Sequence, residues 1–175
     1  MVLRGALSGR RAWLRGIKDS KQLTEKAREA WFEKMKLAEK EGWLAYAVVM
    51  GSAREIDRRG IVPTISRALA RAIKKLGSDP RNTLVLLDGG LRAPAPYLHQ
   101  KTIIRGDEKE PTIALASIAA KVTRDRMMKR LAKKHPGYGL EVHKGYGTAA
   151  HRQAVRRRGL SAIHRKSFCK GLRSW

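Results

Sequence analysis

Thr83-Leu84-Val85-Leu86-Leu87-Asp88-Gly89-Gly90 is the stretch on which the reading of the fold turns. Thr83–Leu87 is an apolar run of strand length, closed by glycines, and it ends directly on an aspartate. A second strand, Lys101–Arg105, ends in the same way at Gly106-Asp107. Ahead of the first strand, Pro63 sits in the first turn of a helix whose Ile65, Leu69, Ile73 and Leu76 recur at helical spacing, with Gly77 as its stop. Behind the second, Pro111 opens the clearest helix of the chain. Its Ile113, Ala116, Ala120, Met127 and Leu131 share one face, while Ile118 and Val122 lie opposite, so its first half is expected to be buried on both sides. Pro136-Gly137 ends it.

The same alternation continues outward. Thr24 caps a helix with Ala27, Ala30, Trp31, Met35 and Ala38 on one face, ended by Gly42. Leu44–Met50 is expected to be a short buried strand, and Met1–Leu7 the end of another, followed by a basic loop at Gly9–Lys18. Ser52 and Glu55 fit a capping box, and Gly60 breaks that segment. His151–Arg158 is a last helix, stopped by Gly159. Strands alternating with helices point to an α/β layered domain.

The 175 residues are expected to form a single domain, residues 1–175, with a basic C-terminal segment from about residue 137 to 175. An apolar fraction of 42% excludes a disordered basic tail. One cysteine, Cys169, excludes an internal disulfide framework and suits a reducing, cytoplasmic compartment. The longest apolar run, near Leu44–Met50, is far short of the ~18–20 residues of a membrane span. The basic start, acid-free until Asp19, has two readings, a transit peptide or a basic segment of the domain itself. With 39 Lys and Arg against 15 acidic residues, the net charge of +24 calls for a polyanionic partner, nucleic acid first.

Two carboxylates stand out in so basic a chain. Asp88 and Asp107 each follow an aliphatic strand and touch glycine, and sites of open α/β sheets form at the carboxyl ends of strands. If the two strands are neighbours, these hard oxygen donors meet in one cleft and suit Mg²⁺ or Mn²⁺. The chemistry then expected is metal-assisted phosphodiester hydrolysis; the plainer alternative is that both are turn residues. Asp125 reads first as a salt-bridge partner of a neighbouring arginine, with supporting work behind the metal site as the alternative. In His143-Lys144-Gly145-Tyr146-Gly147-Thr148, glycines allow close backbone approach, Lys144 offers charge for phosphate and Tyr146 a ring for stacking; the alternative is a surface loop with a packed tyrosine. The five histidines lie scattered along the chain without zinc spacing.

Seven segments, in order, give the chain a resemblance to ribonuclease HII, the type 2 ribonuclease H. They are Asp19-Ser20-Lys21-Gln22-Leu23, Glu55-Ile56-Asp57, Leu87-Asp88-Gly89, Arg105-Gly106-Asp107, Ala116 to Asp125, His143 to Thr148, and His164-Arg165-Lys166-Ser167-Phe168. The resemblance implies an α/β RNase H-like fold, a mixed sheet flanked by helices. It implies cleavage of the RNA strand of RNA–DNA hybrids and incision at ribonucleotides embedded in DNA, with Mn²⁺ or Mg²⁺ as cofactor. Of the family's four carboxylates, the third and fourth match Asp88 and Asp107, and Asp125 takes a supporting role. The family's junction tyrosine matches Tyr146. Ser20, Lys21, Lys121, Arg124, His143, Lys144 and Arg165 lie in motifs resembling its nucleic-acid-facing surface. A monomer with no membrane partner is expected.

The family's opening strand, with an Asp-Glu pair followed by Gly-Arg-Gly, has no counterpart before Asp19, so the first central strand is expected to be absent. Either the chain is a truncated reading of a longer gene, the preferred explanation, or the strand is lost and the protein is a catalytically inactive nucleic-acid-binding module. A ribonucleoprotein component is a further alternative, supported by the charge. Two metals on a scissile phosphate need more carboxylate than Asp88 and Asp107 supply. The 175-residue chain is therefore expected to hydrolyse hybrids weakly or not at all, and to bind them with an affinity that falls steeply with salt. Full-strength Mg²⁺- or Mn²⁺-dependent cleavage by the purified 175-mer would overturn that expectation.

Overall fold

Pro111 lacks an amide hydrogen and so fits the start of a helix, and the longest element of the protein begins there. The computed structural model describes residues 2–3 and 12–172. In chain order these form β1 (Val2–Leu3), α1 (Glu25–Lys40), β2 (Leu44–Ala45), α2 (Ala53–Arg59) and α3 (Ile61–Leu76). Then come β3 (Val85–Asp88), β4 (Gln100–Ile103), α4 (Gly106–Lys109), α5 (Pro111–Lys134), α6 (Leu140–His143) and α7 (Ala149–Arg158). Two 3₁₀ turns, Pro80–Asn82 and Lys166–Leu172, complete the set. The chain divides into two compact units, one of Met1–Val49 with Ser66–Val122, the other of Met50–Ile65 with Thr123–Trp175.

The first unit holds both strand pairs. β1 and β2 pair antiparallel, Val2 opposite Ala45 and Leu3 opposite Leu44. β3 and β4 pair parallel, with Leu87 opposite Thr102 and Asp88 opposite Ile103. The α/β class expected from the alternation is thus realised as a mixed arrangement with little strand and much helix. β2 is shorter than the apolar run Leu44–Met50 suggests: among the described residues only Leu44 and Ala45 pair, and the residues after them are half-buried without strand partners. The expected strand Met1–Leu7 is represented by Val2–Leu3, and residues 4–7 lie outside the described residues.

The core of this unit joins α1, β2 and the first half of α5. Trp31, Phe32, Met35 and Ala38 pack with Trp43, Leu44, Leu115, Ile118, Ala119 and Val122. Trp13 meets Trp31 and Trp43 edge-on, with ring centroids 5.7 and 5.0 Å away. On α1 the sequence reading chose Ala30 for the inward face, but Ala30 is exposed and Phe32 is buried in its place. The apolar stripe is rotated toward the larger ring, which buries more surface.

On α5 the face named second dominates: Leu115, Ile118, Ala119 and Val122, spaced i, i+3, i+4, i+7, are buried, while Ala120 is exposed. Ile113 is buried as well, so the first turn is covered on two sides as expected. A smaller core sets Ile73 of α3 against Leu87 of β3, with Ala93 and Tyr97.

In the second unit, Met128 of α5, Tyr138, Leu140 and Val155 of α7 form the core. The caps follow the sequence reading: Ser52 Oγ accepts the Glu55 amide at 3.1 Å, and Thr24 Oγ1 in the first unit accepts that of Ala27 at 3.2 Å. Among the described residues, no helix is long and apolar enough to cross a membrane.

Leu115 is fully buried at the centre of the larger core. Leu115→Ala is expected to cost about 2–5 kcal/mol of unfolding free energy, because transfer and cavity terms add. Urea denaturation checks this.

Candidate active site and nucleic-acid surface

Parallel pairing of β3 and β4 sets Asp88, at the end of β3, opposite Ile103, at the end of β4, and Asp107 follows four residues later in α4. Asp88 closes β3, and its Oδ1 accepts the Gly106 amide at 2.8 Å. Glycine at 106 leaves room for neighbours: a Cβ would lie 2.6 Å from Ile113 Cδ1, which would have to shift, and 3.4 Å from Asp88 Oδ1. The turn into α4 is tight. Arg105 takes left-handed backbone angles (φ 56°), uncommon for a residue with a side chain, and Asp107 is thereby carried into the first turn of α4. Arg105 grips Glu108 through Nε at 2.9 Å and Nη2 at 2.6 Å on the outer side.

The loop before α1 closes over this corner. Asp19 is 5% exposed; its Oδ1 accepts the Lys21 amide at 3.1 Å, a local turn that aims Lys21. Lys21 Nζ then lies 3.1 Å from Asp107 Oδ2. Ser20 is buried, its hydroxyl 2.9 Å from that of Ser117 on α5, which ties the loop to the helix. Carboxylate oxygens of Asp19, Asp107 and Glu108 lie within 4.8 Å of one another. Burial pushes the Asp107 carboxyl up, but the hydrogen bond and charge of Lys21 and a bond with Asp19 outweigh it and hold the group below its ordinary value. Lys21 is correspondingly raised, by its hydrogen bond and charge pairing with Asp107 first, then by the charges of Asp19 and Asp88.

The sequence reading gave Asp19 no task, although it opens the Asp-Ser-Lys motif. An aspartate two residues ahead of a lysine is a recognisable turn signal, but nothing local to the sequence says that the loop returns to Asp107. Hard oxygen donors converging at the mouth of two strands have the chemistry of a divalent-cation site. Lys121, on the same unit's part of α5, is half-buried.

The remaining candidates belong to the second unit. Tyr146 is about half exposed, and the Arg124 guanidinium lies 4.7 Å from its ring centroid. Asp125, beside Arg124, is buried. His143 and Lys144 are buried and shape the loop from within. Lys144 is left-handed (φ 53°) and its ammonium donates to the Glu141 carbonyl. His143 Nε2 bonds the Tyr138 carbonyl at 2.7 Å, and the Gly145 amide donates to its Nδ1 at 3.2 Å. Gly145 is itself obligatory, with φ +79° and Met128 Cε 2.9 Å from where a Cβ would stand. Arg165 stacks over Phe168 at 4.2 Å.

Asp57 is the clearest omission of the sequence reading. Its carboxylate accepts the amides of Lys166 and Ser167, each at 2.8 Å, and the Ser167 hydroxyl at 2.5 Å. These bonds, led by the Ser167 hydroxyl, hold its pKa below the ordinary value. Asp57 thus caps the turn that follows Arg165. Three histidines scattered in sequence, His143, His151 and His164, also meet here; His143 and His151 stack at 4.3 Å and 20°.

Comparison with known proteins adds to this geometry. The sequence model of the family described as Ribonuclease HII matches residues 8–171. A ribonuclease HII of a Synechococcus species is 47% identical over 153 residues, covering 87% of this chain and 76% of its own length. Among solved structures, the Archaeoglobus fulgidus ribonuclease HII from its complex with PCNA superposes with a TM-score of 0.71 at 24% identity, over 99% of this chain and 87% of that one. The ribonuclease H2 of Pyrococcus horikoshii gives 0.62 at 23% identity, over 94% and 86%. These two structures show the fold.

The histidine cluster makes stability depend on pH. Burial lowers the pKa of His151, and burial with the charge of His151 lowers that of His164, below the ordinary 6.5. The unfolded chain therefore takes up protons first as pH falls. The stability from these neutral rings is complete above 6.5 and is lost from there down to the lowered native values. Thermal melts between pH 8 and 5 should show Tm falling below pH 6.5, and less so in a His151→Asn, His164→Gln double variant.

Proposed function

The chain belongs to the ribonuclease HII family, endonucleases that cut the RNA strand of RNA–DNA hybrids with divalent metal, and on that premise we propose that Asp88 and Asp107 are its metal-holding, catalytic pair. The single observation that carries this reading is the convergence of the two strand ends, tied by the bond from the Gly106 amide to Asp88 Oδ1 at 2.8 Å. The donor set fits a hard cation. Carboxylate oxygens of Asp19, Asp107 and Glu108 meet at a partly buried corner, a group that does not include Asp88, which is joined to the corner through the Gly106 amide; the Lys21 ammonium compensates negative charge there. Mn²⁺ and Mg²⁺ both suit these ligands; when bound, the ion supplies positive charge to the phosphate and lowers the pKa of the attacking water.

The chain's own residues do the rest. Gly106 fixes the rotamer of Asp88 by its amide. Asp19 and Ser20 hold the loop so that Lys21, whose side chain is 75% exposed, presents its ammonium at Asp107 and toward an incoming phosphate. In the second unit, Tyr146 stacks on a nucleotide at the RNA–DNA junction, its ring turned by Arg124. Arg165, placed by the Asp57 cap on the following residues, contributes charge along the backbone, as do Lys121 and Arg124. His143 and Lys144 serve from inside, as the frame of the Tyr146 loop. DNA with embedded ribonucleotides is a second substrate on this reading, and cytoplasm the site of action, consistent with a chain whose one cysteine is Cys169.

Calorimetric titration with Mn²⁺ tests the pair. Asp88→Asn and Asp107→Asn are each expected to weaken binding at least about tenfold, as loss of even indirect metal support does elsewhere. Asp125→Asn is expected to keep the metal affinity. Unchanged Mn²⁺ affinity in both aspartate variants would contradict the assignment.

A further inference from the structure

The buried histidines of the second unit form a directed chain of hydrogen bonds that ends on the residue proposed to stack at the junction. The Ser161 amide donates to His164 Nδ1 at 3.0 Å, so in a neutral His164 the proton sits on Nε2. His164 Nε2 lies 3.2 Å from His151 Nε2, which must then accept. His151 in turn carries its proton on Nδ1, 3.0 Å from the Tyr146 carbonyl. Every partner fits one arrangement, with both rings neutral and one proton each.

Both rings are buried, at 8% exposure. The same Tyr146 carbonyl accepts the Thr148 amide at 2.8 Å, and Thr148 Oγ1 accepts the His151 amide at 3.2 Å. The backbone of Tyr146 is thus held by the His151 side chain and by the Thr148 amide.

We propose that His151 and His164 are positioning residues for Tyr146, and that they make selection of the RNA–DNA junction sensitive to pH. The inference rests on the stacking role proposed for Tyr146 and deepens it. The neutral pair holds the Tyr146 carbonyl, and with it the ring that Arg124 faces at 4.7 Å. A proton added to His151 goes to Nε2, where it confronts the Nε2–H of His164. A proton added to His164 goes to Nδ1, where the Ser161 hydroxyl oxygen, 2.8 Å away, can accept it. The event at His151 is therefore the one that sets donor against donor and releases the clamp.

The titratable groups set against the pair do not offset this. His143 of α6 stacks on His151, Tyr138 ahead of α6 lies tilted at 5.0 Å from His164, and His135 after α5 acts on His164 by charge. The histidines repel a new proton, and Tyr138 is occupied with the Gly159 carbonyl at 2.9 Å. Burial opposes protonation too, so the clamp stays closed at neutral pH.

Two measurements test this. In the wild-type chain labelled with ¹⁵N-histidine, long-range ¹H–¹⁵N spectra at pH 7.5 should report the Nε2–H tautomer for His164 and Nδ1–H for His151, with scalar coupling between their Nε2 atoms. The opposite tautomer at either ring would overturn the proposal. The second readout is the ratio of affinities for a duplex with one embedded ribonucleotide and for the all-DNA duplex of the same sequence. Added positive charge strengthens both, so the ratio isolates positioning.

In the wild type the ratio should fall as pH drops below the histidine range. His151→Leu should lower it at all pH values by about fivefold or more, the equivalent of ~1 kcal/mol of base stacking. His151→Asn, whose amide replaces the Nδ1–H, should restore the ratio and flatten its pH dependence, which a folding defect would not do. If Tyr146→Ala leaves the wild-type ratio untouched, the stacking role itself fails. If Tyr146→Ala lowers the ratio while His151→Leu keeps both the wild-type ratio and its pH profile, the positioning inference alone fails.

Discussion

The bond from the Gly106 amide to Asp88 Oδ1 is the constraint on which the first unit's chemistry depends. It locks the end of β3 to the start of α4, and so fixes one carboxylate relative to the next residue's. It is accompanied by a residue at 106 without a Cβ, which would otherwise push the end of the Ile113 side chain aside. It also requires Arg105 to adopt a left-handed conformation, an unfavourable choice stabilised by the grip on Glu108. Around that corner the negative charge is balanced by Lys21, delivered by a loop pinned through Ser20 to α5. A corner built this way holds the Asp107 carboxyl below its ordinary pKa and near other acidic oxygens, which is the state a divalent cation needs of a ligand.

The second unit solves a different problem, presenting an aromatic ring on a glycine-rich loop without letting it wander. The loop is framed from within by buried polar groups, His143 on the Tyr138 carbonyl and Lys144 on the Glu141 carbonyl. Asp57 closes the 3₁₀ turn at Lys166–Leu172 by accepting two amides and a hydroxyl. Buried polar groups are costly unless satisfied, and here the satisfaction is also what sets the geometry.

Much of this was legible in the residues. The strand that ends on Asp88, the caps at Thr24 and Ser52, and the start of α5 at Pro111 all follow from local periodicity and turn chemistry, whereas the strand expected over Lys101–Arg105 stops at Ile103 and Asp107 sits in the first turn of α4. The length of β2 did not, because pairing needs a partner strand and Leu44–Met50 gives no sign that, among the described residues, only two of its residues find one. The inward faces of α1 and α5 were read partly wrong, at Ala30 and Ala120, because an alanine carries too little surface to say which way a helix turns. Asp19, Asp57, His151 and His164 were beyond reach for a common reason. Each acts on a group that is distant in the chain or hidden in the backbone, such as the amides 109 and 110 residues beyond Asp57. Sequence spacing carries no record of such meetings.

The most direct measurement of the central claim is a map of paramagnetic broadening by sub-stoichiometric Mn²⁺ in amide spectra of the ¹⁵N-labelled chain. If the carboxylates of Asp88 and Asp107 hold the ion, the amides of Asp88, Gly106 and Asp107 broaden first, with that of Lys21 close behind. Broadening centred instead on acidic residues elsewhere, such as Glu33 on α1 or Asp79, with the Gly106 amide still sharp, would contradict the account.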